Sequence, residues 1–125
     1  MPLKILVIDD TALHRAVVEK FLVDRGHEVV LAKGGIEGMN RVETEAFDLV
    51  LLDYVMPPPG GLEVLVWMRR KFPKSQLPIF MLSANADTEK QQEAFNLGAN
   101  SWQIKDGELK GLVEKIDELT IEKKS

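Results

Sequence analysis

Polar and apolar positions in this chain fall into blocks. Short, largely apolar runs occur at Leu3 to Ile8, at Glu28 to Leu31, at Leu49 to Leu52, at Ile79 to Leu82 and at Ser101 to Ile104. Runs without polar alternation are the pattern of strands buried on both faces, which are most often parallel. Between them lie stretches with helical spacing. The first begins near Thr11 and places Leu13, Val17 and Phe21 four apart with Ala16 beside them as its apolar face; Gly26 is its stop. Gly34 and Gly35 open the second, where Ile36, Met39 and Val42 recur every three residues. Leu62, Leu65, Val66 and Trp67 mark the third, which ends before Pro73. Asp87 is the expected N-cap of the fourth, which runs to Leu97 with Gly98 as its stop. The last has the cleanest pattern: Leu109, Leu112, Val113, Ile116 and Leu119.

Five strand-helix pairs in strict alternation predict an α/β fold, a parallel sheet with helices on both faces in a three-layer sandwich. The stretch 48–63, DLVLLDYVMPPPGGLE, organises it. Its apolar run delivers one carboxylate, Asp53. Three prolines then bar continuation of the strand, and two glycines permit the bend into the next helix. Asp53 is therefore expected where strand becomes loop, on the carboxyl-end rim at which open α/β sheets bind ligands.

Composition narrows the class. A chain of 125 residues with 45% hydrophobic and 29% charged residues is read as one globular domain, 1–125. A net charge of -4 argues against direct nucleic-acid binding through general phosphate attraction. The absence of cysteine leaves neither disulfides nor thiolate metal sites, as fits a cytoplasmic location. No stretch approaches the roughly 18 apolar residues of a membrane span, and the N-terminus lacks the layout of a signal peptide.

Parallel strands bring their carboxyl ends to one rim, so residues distant in sequence become neighbours. The first strand supplies Asp9 and Asp10, the third Asp53, the fourth Ser83 and the fifth Lys105. Crowded carboxylates raise one another's pKa unless a cation intervenes. A hard divalent ion with oxygen ligands answers that need, and Mg2+ suits it, keeping waters and accepting phosphate oxygens. Asp53 then has the setting of a nucleophile towards phosphorus. Lys105 and the Ser83 hydroxyl would meet the charge on the phosphoryl oxygens.

Four segments in this order, VIDD at 7–10, LLDYVMPPPGGLE at 51–63, LSAN at 82–85 and GANSWQIK at 98–105, resemble the receiver domain of two-component response regulators, chemotaxis regulators among them. The resemblance covers essentially the whole chain. It implies a flavodoxin-like fold with strand order 2-1-3-4-5. It also implies that Asp53 is the phosphate acceptor, Asp10 and Asp53 direct magnesium ligands, Asp9 a ligand through water, and the carbonyl of Val55 a further ligand. Ser83 is similar to the switch hydroxyl, Lys105 to the site lysine and Trp102 to the switch aromatic. The implied partners are a histidine kinase or phosphotransfer protein upstream and another protein downstream. The output surface is the helix 4, strand 5, helix 5 face.

The chain departs from that pattern in places. Asp106 stands where receivers commonly carry proline after the lysine, so Lys105-Asp106 is either trans with a rearranged loop or a strained cis bond. Asp106 also suits the N-cap of the last helix. Trp102 is bulkier than the usual Tyr or Phe, and Val55 cannot orient water by hydrogen bonding. His14 and His27 have no metal partner in the sequence and are expected at the surface; a part for His14 in partner docking is the lesser alternative. A single-domain regulator is expected, the alternatives being a receiver cut from a larger regulator or a magnesium-dependent aspartyl phosphatase. The phosphatase would want a second Asp two positions after Asp53, where Val55 stands. A flavodoxin-type electron carrier would need a phosphate loop where the chain has Asp-Asp-Thr-Ala.

Overall fold

The computed structural model describes residues 2–106 and 109–124. Five strands and five helices alternate: β1 (Lys4–Ile8), α1 (Ala12–Asp24), β2 (Glu28–Ala32), α2 (Gly35–Thr44), β3 (Leu49–Asp53), α3 (Gly61–Lys71), β4 (Ile79–Ser83), α4 (Thr88–Asn96), β5 (Ser101–Ile104) and α5 (Lys110–Lys124). The sheet is five-stranded, with order β2-β1-β3-β4-β5 and every pairing parallel. Both the expected class and the expected order hold.

Two cores result, because successive side chains of a strand point to opposite faces. Leu6, Ile8, Val50, Leu52, Ile79 and Met81 pack against Val42 of α2, Val64, Leu65 and Met68 of α3 and Ala94 of α4. Ile5, Val7, Leu49, Leu51, Phe80 and Leu82 pack against Val18 and Leu22 of α1 and Leu112, Ile116 and Leu119 of α5. Every residue of β3 and β4 is buried, as unbroken apolar strands require. On the edge, β2 is only partly covered.

Helix ends follow the expected punctuation. Gly26 and Gly98 follow α1 and α4 with φ of 89° and 110°, a left-handed conformation that glycine adopts without steric cost. Asp87 caps α4 by accepting the Lys90 amide at 3.0 Å.

The inward face of α1 departs from the one the spacing suggested, and that of α2 keeps Met39 and Val42 but not Ile36. In α1 the row Leu13, Ala16, Val17 lies outside, with Leu13 and Val17 exposed, while Val18 and Leu22 enter the core and Phe21 is half-buried. In α2, Ile36 is exposed and the inward row is Gly35, Gly38, Met39 and Val42. A period of four marks several parallel rows on a helix, and the packing of the sheet selects among them. Asp106 is not the N-cap of α5: its Oδ1 accepts the Leu109 amide at 2.6 Å, whereas the Leu109 carbonyl accepts the helical amide of Val113 at 3.0 Å. The Lys105-Asp106 bond is trans; the cis bond among the described residues is Pro58-Pro59.

Candidate functional site

The site forms where β1, β3, β4 and β5 end. Register fixes the neighbourhood: Ile8 is level with Leu52, Asp53 with Leu82, and Ser83 with Ile104. Asp9 follows β1 directly, Asp53 closes β3, Ser83 closes β4 and Lys105 follows β5. Asp9 is fully buried, and Asp53 and Ser83 are nearly so; Asp10 is exposed.

Lys105 joins these strand ends. Its Nζ lies 2.8 Å from Asp53 Oδ1 and 2.9 Å from Asp9 Oδ2, with only 14% of its side chain exposed. Two buried carboxylates are costly in isolation, and a shared ammonium offsets part of that cost. Burial is nevertheless the larger influence on Asp53. It pushes the carboxyl above its ordinary value, against the opposing pull of Lys105, and Asp9 and Asp10 push the same way.

Asp9 is held from several sides. Its Oδ1 accepts the Thr11 amide at 2.9 Å, and its carbonyl accepts Arg15 Nη1 at 2.8 Å. Carboxylate oxygens of Asp9, Asp10 and Asp53 all lie within 4.8 Å of one another. Three hard oxygen donors against one ammonium make a donor set suited to a divalent cation of the magnesium or calcium type.

Past Asp53 the chain must turn sharply. The Gly61 amide donates to the Tyr54 carbonyl at 3.2 Å, and a Cβ on Gly61 would run into the Asp53 carbonyl and the Tyr54 backbone. Gly60 begins the helix with its amide donating to Glu63 Oε1 at 3.1 Å. This close approach requires glycine at position 61, whereas a Cβ on Gly60 would meet only ordinary contacts. Val55, in the same loop, is exposed.

Ser83 Oγ accepts the Asn85 amide at 3.3 Å, and the Lys105 amide donates to the Ser83 carbonyl at 2.8 Å. Trp102 is buried despite its bulk. Its Nε1 donates to the Asn85 carbonyl at 3.1 Å, and its ring stands 5.2 Å from that of Tyr54, tilted by 55°. Aromatic pairs favour such tilted arrangements. Lys90 of α4 caps the stack from 5.5 Å above Tyr54. The serine and the tryptophan thus meet at the β4–α4 loop.

His14 is exposed, as expected, and His27 is half-buried; each nevertheless makes polar contacts. His14 Nδ1 stands 3.2 Å from Lys105 Nζ and 3.5 Å from Asp9 Oδ2, with its side chain 46% exposed. His27 Nδ1 accepts the Leu3 amide at 3.0 Å, and burial lowers its pKa, with Asp117 opposing. The available signal for His14 was its place in the first turn of the helix that follows the acidic pair.

Residues 5–117 match the family described as the response regulator receiver domain. Among curated proteins, the chain is 33% identical over 117 residues to the response regulator RR06 of Streptococcus pneumoniae, covering 94% of this chain and 52% of that protein. The chain spans about half the length of the curated relatives it matches. Among solved structures, chemotaxis protein CheY4 of Vibrio cholerae superposes with a TM-score of 0.85 at 30% identity, covering 95% and 99% of the two chains. Response regulator TrrA of Thermotoga maritima, solved in complex with Mg2+ and BeF, superposes with a TM-score of 0.84 at 30% identity over 95% and 99%. The chain belongs to the response regulator receiver domain family. Receiver domains of this fold act as phosphoacceptor modules of two-component phosphorelay signalling rather than as turnover enzymes. Family identity implies a histidine kinase or phosphotransfer partner. Among the described residues, no helix is long and apolar enough to cross a membrane.

Proposed function

We propose that Asp53 is the phosphoacceptor and that Mg2+ is the resident ion. The observation that carries this is the Lys105 ammonium held between the buried carboxylates of Asp53 and Asp9, with Asp10 alongside. Magnesium in this site would neutralise charge on the phosphoryl oxygens, with Asp10 and Asp53 as direct ligands, Asp9 through water and the Val55 carbonyl as a further oxygen donor. The complex of TrrA with Mg2+ and BeF supports a site of this kind on the same fold.

A carboxylate oxygen of Asp53 attacks phosphorus and forms the new O–P bond. The bond from phosphorus to the donor's imidazole nitrogen breaks, and its electron pair leaves with that nitrogen. Lys105 follows the phosphoryl oxygens and supplies positive charge where it builds up. Ser83 donates its hydroxyl to one of them and vacates space beside Trp102, which couples the change to the face formed by α4, β5 and α5. The donor is a phosphohistidine on a kinase or phosphotransfer protein, and the downstream target is another protein or a further domain that this face engages. A receiver forming part of a longer regulator remains the second reading, favoured by the half-length coverage of the curated relatives.

Intact-mass measurement tests the proposal. With magnesium and acetyl phosphate the chain should gain one phosphoryl group and stop there, and Asp53→Asn should gain none. Continuous phosphate release from a monoester substrate would favour an aspartyl phosphatase instead.

A further inference from the structure

A lysine ammonium has three N–H donors and no acceptor. Three acceptor atoms surround Lys105 Nζ: Asp53 Oδ1 at 2.8 Å, Asp9 Oδ2 at 2.9 Å and His14 Nδ1 at 3.2 Å. We propose that His14 is a positioning residue, which takes the third N–H of Lys105 on Nδ1 and holds the ammonium over the acceptor carboxylate. The inference rests on the assignment of Asp53 and Lys105 to phosphoryl transfer.

The direction of the bond follows from chemistry. Lys105 can only donate, so Nδ1 accepts, and the neutral ring carries its proton on Nε2. The competing arrangement, Nδ1–H donating to Asp9 Oδ2, spans 3.5 Å, longer than the 3.2 Å from Nδ1 to Lys105 Nζ. His14 is also fixed in place. The first turn of α1 is tied to β1 by Thr11 N–H on Asp9 Oδ1 and by Arg15 Nη1 on the Asp9 carbonyl, and the Arg15 amide donates to Thr11 at 3.0 Å.

The need for such a group is equally local. A lysine amine moves on a flexible stem and loses considerable rotamer freedom when held. When Asp53 becomes an acyl phosphate, its contact with Lys105 has to be exchanged for one to a phosphoryl oxygen. Asp9 and His14 then retain the amine through the exchange. The imidazole, itself half in solvent, also covers a lysine that is only 14% exposed.

Nitrogen-15 NMR of the metal-free protein reads the contact directly, through hydrogen exchange of the Lys105 ammonium. Wild type should show a slowly exchanging ammonium signal. His14→Leu should accelerate exchange about fivefold or more, the effect of losing one hydrogen bond to a charged donor. His14→Asn, which can offer an amide oxygen near the place of Nδ1, should restore most of the protection. In phosphorylation by magnesium and acetyl phosphate, the leucine variant should lose about fivefold in maximal rate with little change in half-saturating donor concentration. Amide spectra with unshifted β4 and β5 signals show that each variant is folded. An exchange rate in His14→Leu equal to wild type, or one in His14→Asn as fast as in His14→Leu, would overturn the proposal. If wild type cannot be phosphorylated at all, the acceptor assignment fails, while the ammonium signal still decides whether His14 holds Lys105.

Discussion

Arg69 shows how a single side chain can hold two parts of the fold together without an anionic partner among the described residues. Its guanidinium donates to the carbonyls of Gly98, Phe72 and Leu77 and to Asn100 Oδ1, at 2.6 to 3.1 Å, and burial lowers its pKa to about 10. Asn100 Oδ1 also accepts the Ile79 amide at 3.0 Å, so the fork ties α3 to the start of β4 and the end of α4. Arg69→Leu leaves those carbonyls without their donor and should cost about 2 to 4 kcal/mol in urea unfolding. Arg69→Lys should recover only part of this, since an ammonium cannot reproduce the planar fork. His27 gives a pH prediction. Its folded pKa is lowered by burial, and its Nδ1 must be unprotonated to accept the Leu3 amide. The unfolded chain therefore binds more protons, and the contribution of His27 is fully present above pH 6.5 and is lost as pH falls below it. Thermal midpoints between pH 5 and 8 should decline towards acid in wild type, and His27→Leu should flatten that decline. Neither residue's role was legible in sequence, because each depends on carbonyls or amides that only the tertiary fold brings near.

Elements were legible to the extent that their pattern had one solution. Strands β3 and β4 are buried on both faces, so an unbroken apolar run identifies them whichever face is considered. Helix α1 offered two apolar rows. The spacing favoured Leu13, Val17 and Phe21, but the sheet takes Val18 and Leu22 with Phe21 only partly covered. The loop between β3 and α3 was readable because proline and glycine have few uses. A methyl at Gly61 meets backbone atoms that cannot yield, so Gly61→Ala should destabilise by about 2 kcal/mol in urea unfolding. It should also slow phosphorylation of Asp53, whose carbonyl it displaces. At the β4–α4 loop, the indole of Trp102 holds the Asn85 carbonyl and packs on Tyr54. Trp102→Phe removes one neutral hydrogen bond, worth about 1 kcal/mol, and should speed amide exchange of Asn85 to Asp87 about fivefold while leaving β1 and β3 unchanged.

At the scale of the molecule, strict alternation of strand and helix with parallel pairing places every strand's carboxyl end on one rim, and the chemistry follows from that placement. Asp9, Asp10, Asp53, Ser83 and Lys105 could be named from the sequence because each stands at a strand terminus, where alternation alone predicts convergence. The third acceptor on Lys105 could not, because His14 reaches the rim from a helix whose rotation no strand pattern fixes. On the proposed reading Asp53 is a buried carboxylate nucleophile restrained by one cation, with room in the charge balance of the rim for a metal ion and a phosphoryl group. Borohydride trapping tests this most directly, since it reduces an acyl phosphate to the alcohol and records which carboxylate carried the phosphorus. After treatment with magnesium and acetyl phosphate, peptide mapping should find homoserine at position 53 and intact aspartate at positions 9 and 10. Homoserine at position 9 or 10, or none in a chain that has gained phosphate, would contradict the account.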